Sequence, residues 1–287
     1  MTHEQQPHPM QRRYPDMPQG SITLQGWTPN RPPSEALIDV LRAANVSVID
    51  SEQARRHPVA VRVIRAGAPL FVEGSKASAV YWVRSGMFRT MMTAEDGYEQ
   101  VLGFSGPGDA LGLDTLSDGQ HPTAAVALED SCVWALPLLD FSPQARPAPE
   151  LGELLRRAAA RELVHRAELV HIIAAVAAEV RLARFLLMWS QRRTEGGLPP
   201  RVFTLSMCRR DIASLLGMAH ETVSRTFSLL TDLGYVSVRN RAVELIDLDG
   251  LRIFAQRTRR PCELHPVRRS TPQPAGKPHA QTSLTAH

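Results

Sequence analysis

Cysteine is scarce in this chain, and the lack of a cysteine cluster excludes several classes of protein. Its 287 residues hold three cysteines, which lie far apart at Cys132, Cys208 and Cys262. A disulfide-stapled fold, a zinc knuckle and a four-cysteine iron–sulfur site all need more cysteines at closer spacing. The ten histidines are equally dispersed and never form the His-Glu-x-x-His pattern of a zinc protease. We therefore expect no metal site.

Long apolar runs are also missing. No uncharged run approaches the roughly 18–20 residues that a membrane span requires, and the longest candidate, Ile172 to Val180, is interrupted by Glu179. The N-terminus carries Arg12 and Arg13 but no apolar segment of the kind found in secretory signals. We therefore expect a cytoplasmic protein with no membrane partner. Hydrophobic residues make up 43% of the chain, which excludes wholesale disorder.

Two polar arms flank a patterned middle. Residues 1–35 are rich in proline, glutamine and histidine, and residues 256–287 are proline-rich and basic. Such segments bury too little apolar surface to fold, so we expect both arms to be disordered. From about residue 58 to 140 the chain holds short apolar runs separated by glycines at intervals near ten residues, which predicts a β-sandwich or a jelly roll. The expected strands are Val59–Ile64, Leu70–Val72, Ala79–Arg84, Phe88–Met92, Gln100–Phe104, Thr123–Leu128 and Cys132–Leu136.

From residue 148 the apolar period becomes helical. Between 148 and 178 an apolar stripe recurs at 100° per residue, which predicts one long helix. Glu162 and Arg166 interrupt the stripe. Two interpretations stay open: the pair bridges within or across helices and tunes their association, or the helices splay there and both side chains are solvated. The stripe includes Leu151, Leu155, Leu169, Ile173 and Val176.

Residues 179–255 carry the strongest functional pattern. Cys208–Leu216 predicts a short helix, Gly217 a turn, and His220–Leu233 a second helix. Two short β-type runs follow the second helix. They are Tyr235–Val238 and Ala242–Asp247. The order helix, turn, helix and strand pair predicts a helix-turn-helix with a β-wing.

The second of these helices has a polar face and an apolar face. Positions i, i+3, i+4 and i+7 share one side of a helix, and this spacing gathers four polar residues. They are Glu221, Ser224, Arg225 and Ser228. An arginine donates two hydrogen bonds to guanine and a carboxylate accepts one from cytosine, so the polar face suits base reading in the major groove. The apolar face holds Val223, Phe227, Leu230 and Leu233.

Further basic and hydroxyl side chains surround the two helices. They are Arg209, Arg210, Thr222, Ser228, Arg239 and Arg241. We expect them to contact phosphates, which position a protein on DNA without reading its sequence. Taken singly, each of these charges is ordinarily interpreted as part of a solvated helix face. The net charge of +4 favours an anionic partner only mildly. The combination of helix, glycine turn, polar-faced helix and basic wing predicts double-stranded DNA as the partner.

Residues 213–225, with the sequence ASLLGMAHETVSR, resemble the recognition module of the CRP/FNR superfamily of bacterial transcription regulators. The resemblance extends upstream through YWVRSG at 81–86 and GD at 108–109, and covers about residues 55–255. It implies an α+β fold and a regulator that is not an enzyme. The implied domains are a double-stranded β-helix (jelly-roll) sensor domain at 36–147, a dimerisation helix at 148–178 and a winged helix-turn-helix at 179–255.

The spacing of Glu221, Ser224 and Arg225 is similar to the FNR branch, whose members read TTGAT half-sites in an inverted repeat. By that similarity Arg225 contacts guanine, Glu221 a base of the opposite strand, and Ser224 a thymine or a phosphate. The family also implies a homodimer, and an RNA polymerase partner that contacts the turn at 97–99. The residues expected at the dimer contact are Leu151, Leu155, Glu162, Arg166, Leu169, Ile173 and Val176.

The sensor domain of this family often binds cyclic AMP through an arginine that this chain lacks. Residues 90–131 contain no lysine or arginine, and Pro122 stands where the family has the cation. A buried phosphate without a cation costs several kcal/mol, so we expect no cyclic AMP site. A cyclic-nucleotide-responsive regulator of the same fold stays the alternative. Residues 1–131 contain no cysteine, so the iron–sulfur cluster of FNR lacks its ligands.

Two further possibilities for the sensor domain stay open. Haem is one, because His57, His121, His165 and His171 are available, although no pattern marks an axial ligand. A cupin-like metalloenzyme is the weaker one, since the paired histidine and glutamate ligands of such a site are missing. The sequence leaves open the effector, the target genes and the sign of regulation.

Overall fold

Strands dominate the first half of the chain and helices the second, as the residue pattern predicts. The computed structural model describes residues 35–46, 52–141 and 149–256. The two predicted arms lie outside these described residues, apart from their innermost positions. Among the described helices none is both long enough and apolar enough to cross a membrane.

The first compact unit, residues 1–165, contains two antiparallel sheets. Its strands are β1 (Glu35–Ala36), β2 (Pro58–Ile64), β3 (Pro69–Phe71), β4 (Ala79–Ser85), β5 (Phe88–Thr93), β6 (Glu99–Ser105), β7 (Ala110–Leu111), β8 (Ala124–Ala127) and β9 (Ser131–Pro137). One sheet has the order β1-β2-β9-β4-β7 and the other β3-β8-β5-β6. Pairing between strands so distant in sequence is typical of a jelly roll. The predicted roll is confirmed, and every predicted strand ends within one residue of its expected bounds.

The core of the roll lies on both sides of β4, which is buried along most of its length. Because successive side chains of a strand point to opposite faces, Trp82 enters one apolar cluster while Tyr81 and Val83 enter another. The cluster around Trp82 also holds residues of α1 (Leu37–Ala43) and α2 (Glu52–Arg56). These two short helices were not predicted.

The long helix α3 (Pro149–Ile173) begins with a proline, which is tolerated there because the first helical N–H has no intrahelical partner. Leu151 was predicted to contribute to the dimer contact, and this is wrong: it is 1% exposed within the cluster around Trp82. Helical spacing shows which residues share a stripe, not what covers it. The helix also ends before the predicted residue 178, so Val176 lies in a non-helical linker at 174–177.

The second compact unit, residues 166–287, contains the end of α3 and the predicted winged helix-turn-helix. Its remaining elements are α4 (Ala178–Glu195), β10 (Val202–Thr204), α5 (Arg209–Leu216), α6 (His220–Asp232), β11 (Val236–Arg239), β12 (Ala242–Leu245) and α7 (Leu248–Ala255). Helix α4 packs against both α6 and α7, and the small sheet has the order β10-β12-β11. The sequence did not predict β10 and α7. The helix-turn-helix and its wing are confirmed.

Candidate nucleic-acid interface

Helix α5 begins at a residue that caps a helix poorly. The thiol of Cys208, at the N-cap, forms no capping hydrogen bond. Its backbone N–H donates to the carboxylate of Asp211, with 3.0 Å between N and Oδ2. This contact is one half of a capping box. At the other end Gly217 has a φ of +60°, which an L side chain rarely adopts, so the turn between the two helices is set at this glycine.

Helix α6 packs through the predicted apolar face, with one exception. Val223, Phe227 and Leu230 are buried. Leu233 was predicted to share this face, but it is 48% exposed. Leu233 is the C-cap of the helix, one residue beyond Asp232, so it lies at the end of the apolar face.

The predicted polar face of α6 points to solvent. Its exposed residues are Glu221, Ser224, Arg225 and Ser228. The hydroxyl of Ser224 donates to the carbonyl of His220 at 3.3 Å, and the half-buried Thr222 accepts from Thr226 through its carbonyl at 2.7 Å. Within the described residues, the side chains of Glu221 and Arg225 make no hydrogen bond or ion pair. Their charged ends are therefore available to an external partner.

Arg209 lies differently from the other predicted phosphate contacts. Its guanidinium carbon is 3.3 Å from the centroid of the Phe227 ring, and Nη2 donates to the carbonyl of Asn240 at 3.4 Å. Burial lowers the pKa of Arg209. Within the described residues Nη1 is buried with no hydrogen-bond partner. The side chain thus packs between α6 and the wing instead of extending outward.

The remaining predicted phosphate-contacting arginines are exposed. Arg210, Arg239 and Arg241 all reach solvent. The wing turns at Asn240, whose φ is +58°, a conformation that asparagine tolerates better than most residues. Arg241 also donates to the carbonyl of Ser206 at 3.1 Å, which ties the wing to the segment before α5. The wing therefore holds two exposed cations beside the first helix of the motif.

A cleft of about 370 Å³ opens between the start of α5, the start of α6 and the wing. Three arginines line it and no acidic residue does. The N-terminus of α5 adds a partial positive charge, which the Asp211 carboxylate in its first turn partly offsets. The lining residues are Leu205, Met207, Cys208, Arg209, Arg210, His220, Asn240 and Arg241. Such a cleft suits an anionic group.

The sensor roll places a histidine at its centre. His121 is 2% exposed and stacks on Phe71, with ring centroids 3.8 Å apart and planes 6° from parallel. Burial lowers the pKa of His121, and the nearby Asp114 carboxylate only partly opposes this. Its Nδ1 is buried without a hydrogen-bond partner in the described part of the chain. The neighbouring Pro122 is exposed.

Helix α3 exposes an apolar surface that only partly matches the predicted dimer contact. Arg166 and Ile173 are exposed, and Leu155, Glu162 and Leu169 are partly exposed. The prediction missed Leu163, 71% exposed, and Val170, 68% exposed. Five exposed residues of α3 are separated by alternating steps of four and three residues, which is the coiled-coil spacing. This surface, the α3 seam, consists of Ala159, Leu163, Arg166, Val170 and Ile173.

Two family models match the chain. The Crp-like helix-turn-helix domain matches residues 180–254, and the cyclic nucleotide-binding domain matches residues 61–145. These ranges coincide with the winged helix-turn-helix and with most of the roll. Within the described residues, no three histidine, cysteine, aspartate or glutamate side chains gather as a metal site would require.

Curated relatives are transcription regulators. The transcriptional regulatory protein btr of Bordetella pertussis is 38% identical over 192 residues, which cover 67% of this chain and 79% of the relative. The fumarate and nitrate reduction regulatory protein of Escherichia coli (strain K12) is 32% identical over 196 residues, covering 68% and 78%. The solved structure of FixK2 from Bradyrhizobium japonicum aligns with a TM-score of 0.61 at 28% identity, covering 68% of this chain and 96% of FixK2.

The identity to these regulators spans both compact units, and the two family models match them in the same order. The roll, the long helix and the winged helix-turn-helix follow one another as the resemblance in sequence implies. This chain belongs to the CRP/FNR family of DNA-binding transcription regulators.

Proposed function

We propose that this regulator binds a TTGAT-like inverted repeat as a homodimer, with α6 of each copy in the major groove. The observation that carries the proposal is the exposed face of α6. Arg225 and Glu221 lie one turn apart on this face. Within the described residues their side chains make no hydrogen bond or ion pair. Arg225 reads the guanine, Glu221 a base of the opposite strand, and Ser224 a thymine or phosphate.

Phosphate contacts hold the helix in register. Arg210, Arg239 and Arg241 are exposed around α5 and the wing, and Thr222 and Ser228 add hydroxyl groups on α6. The basic cleft at the start of α5 accepts a backbone phosphate, because three arginines and no acidic residue line it. The Arg209 side chain packs on the Phe227 ring and so stabilises this surface.

The α3 seam pairs two copies of the chain. It exposes Leu163 and Val170 at a coiled-coil spacing, and two-fold pairing of a helix face is self-complementary. Such symmetry sets the two recognition helices about 34 Å apart, one turn of DNA, and therefore requires a palindromic site.

A signal at the roll controls the state of the dimer by shifting a population between two arrangements. The residues of the roll do not fit a cyclic nucleotide, since residues 90–131 contain no cation for the phosphate and His121 is buried against Phe71. The signal therefore has another chemistry. For activation, the turn around Gly97 and Tyr98 presents a surface to RNA polymerase, and Tyr98 is 52% exposed.

Fluorescence anisotropy on a labelled TTGAT-N4-ATCAA duplex tests the proposal, with a scrambled duplex as control, near 150 mM salt. The expected result is a preference of about 10³ or more for the palindrome. Equal binding to both duplexes overturns the proposed half-site. Addition of cyclic AMP is expected to leave both curves unchanged.

A further inference from the structure

Two arginines of α4 bind carbonyl groups at the ends of three other helices. The last four carbonyls of an α-helix have no partner within the helix, and a cation placed there also stabilises the helix dipole. Arg181 and Arg184 lie one turn apart on α4. Between them they reach the C-terminal ends of α3, α5 and α7.

Arg181 joins the linker that follows α3 to the turn of the helix-turn-helix. Its Nε donates to the carbonyl of Ala175 at 2.6 Å. Its Nη1 donates to the carbonyls of Leu216 at 3.1 Å and Gly217 at 3.3 Å. One planar guanidinium thus connects the linker to the residues that set the angle between α5 and α6.

Arg184 joins the last turn of α3 to the last helix of the chain. Its Nη1 donates to the carbonyl of His171 at 2.7 Å, and its Nε to the carbonyl of Ala255 at 2.9 Å. Both acceptors lie in the final turn of a helix, at the ends of α3 and α7. The two arginines therefore connect the end of α3 to the DNA-binding elements at two separate points.

The linker between α3 and α4 is short and contains four residues, 174–177. Ala175 and Ala177 are buried, whereas Val176 between them is 76% exposed. Alanine side chains make few packing contacts, so the backbone hydrogen bonds of the linker carry much of its order. Within the described part of the chain, the contact from Arg181 to Ala175 is the only side-chain hydrogen bond to this linker.

We propose that Arg181 and Arg184 are positioning residues that fix the helix-turn-helix at a set angle to the end of the long helix. Neither touches DNA; each acts through the helix ends that it binds. When the pairing between the α3 helices of two copies changes, these contacts transmit the change to the recognition helix α6. The inference rests on the proposed dimer for its effect on DNA, while the contacts themselves are tested without DNA.

The first test is hydrogen–deuterium exchange of the full chain without DNA. Arg181→Gln is expected to raise exchange about tenfold or more in a peptide covering 174–177 and in the turn at Gly217, since local opening becomes easier. Arg193→Gln is the matched control, because Arg193 is half-buried on the same helix and donates to the carbonyl of Pro199. Unchanged exchange in both segments of Arg181→Gln overturns the inference.

The second test separates positioning from simple charge. Arg181→Lys keeps the charge at the C-terminus of α5, but a single ammonium cannot replace a planar group that binds carbonyls on two elements. The lysine variant is expected to show the same increase in linker exchange with an unchanged melting temperature. Full rescue by lysine means that the residue only neutralises the helix end, and contradicts positioning. This variant also serves if the glutamine variant fails to fold.

The third test measures DNA recognition. Wild-type protein is compared with Arg181→Lys and Arg184→Lys on palindromes whose spacers differ by one base pair on either side of N4. The expected result is a loss of spacer preference of about fivefold or more, with binding to a scrambled duplex unchanged. If wild-type protein itself ignores the palindrome, the proposed half-site fails and the exchange experiments still decide the role of the arginines. If wild-type protein prefers N4 and the variants keep that preference, the positioning role is contradicted.

Discussion

At the scale of single residues, the exposed face of α6 combines a cation and an anion that have no partner in the described protein. Arg225 and Glu221 are both exposed, and within the described residues their side chains make no hydrogen bond or ion pair. Charged side chains held on a rigid helix without internal partners pay no cost of breaking a bond when they meet a base. Substitutions on this face should therefore change recognition and leave the fold intact.

Replacing Arg225 by alanine is expected to weaken binding to the palindrome by about 1–3 kcal/mol per half-site, because a bidentate contact to guanine is lost. Binding to a scrambled duplex changes much less. Anisotropy titrations of both duplexes measure the ratio. Urea unfolding serves as the control, since Arg225 is exposed and its removal leaves the core unchanged. An equal loss on both duplexes would show that Arg225 contacts phosphate.

Two neighbouring arginines at the start of α5 have different roles. Arg209→Ala is expected to lower the free energy of unfolding by roughly 1–3 kcal/mol, because its stacking on Phe227 and its bond to the wing are lost. Arg210→Ala, at an exposed site, is expected to change it by less than about 0.5 kcal/mol. Arg210→Ala instead reduces the slope of log affinity against log salt by about one. Urea titrations and salt-dependent anisotropy measure both effects, and reversed results would contradict the assignment.

The buried His121 gives the roll a defined pH dependence. Burial lowers the pKa of His121 in the folded state, so below about pH 6.5 the unfolded chain binds the proton more readily. The stabilisation is complete above this pH and is lost as the pH falls through the lower folded-state pKa. Wild-type protein should lose unfolding free energy between pH 7.5 and 5.5. His121→Phe should show a shallower loss, while His171→Gln, at an exposed histidine, should match wild type; equal slopes in all three contradict the prediction.

At the scale of elements, the helix-turn-helix has one weak point at the start of α5. The N-cap is Cys208, whose thiol makes no capping hydrogen bond, while the carboxylate of Asp211 accepts from the Cys208 N–H. The C-terminal end of the same helix is closed by Gly217 in a left-handed conformation. The C-terminal end of α5, at Gly217, is therefore more stable than its N-terminal end, at Cys208.

Restoring a cap should stabilise this element. Cys208→Thr is expected to raise the free energy of unfolding by about 0.5–2 kcal/mol, because a hydroxyl accepts a bond from an N–H of the first turn. Cys208→Ala is the control and should change it little, since no capping bond exists to lose. Thermal unfolding of the two variants measures the difference, and equal stabilities would show that the first turn is already satisfied.

At the scale of the whole molecule, the α3 seam is the surface that we propose pairs two copies of the chain. Leu163 and Val170 are more exposed than most large apolar residues in the described ranges. Exposed apolar residues at coiled-coil spacing are stable when a second helix covers them. The polar Arg166 between them favours one register of pairing.

Leu163→Glu is expected to weaken the homodimer by at least tenfold, because a charge enters the apolar contact. Val164→Glu is the matched control: Val164 is 57% exposed and lies about 100° around the helix from Leu163. Analytical ultracentrifugation measures both dissociation constants. A similar loss in the control would place the interface elsewhere on α3, and no loss in either would contradict a dimer through this helix.

Much of the fold could be predicted because it depends on local patterns. Short apolar runs between glycines specify the strands of the roll, since β-branched and apolar residues favour strands and glycines favour the turns between them. The helix-turn-helix could be predicted from Gly217 and from the polar and apolar faces of α6. The polar face of α6 needed no tertiary information, because charged and hydroxyl side chains at one helical spacing favour the solvent-facing side of a helix.

Local residue patterns are enough to predict the order of elements and the polar face of α6, and residues 90–131 contain no lysine or arginine. The folded structure is needed to show what covers each apolar or charged group. It placed Leu151 in the core of the roll, Arg209 on Phe227, and Arg181 across two separate backbone segments. Periodicity along a chain shows which residues share a face. It does not show what covers that face, because the covering residues are distant in sequence.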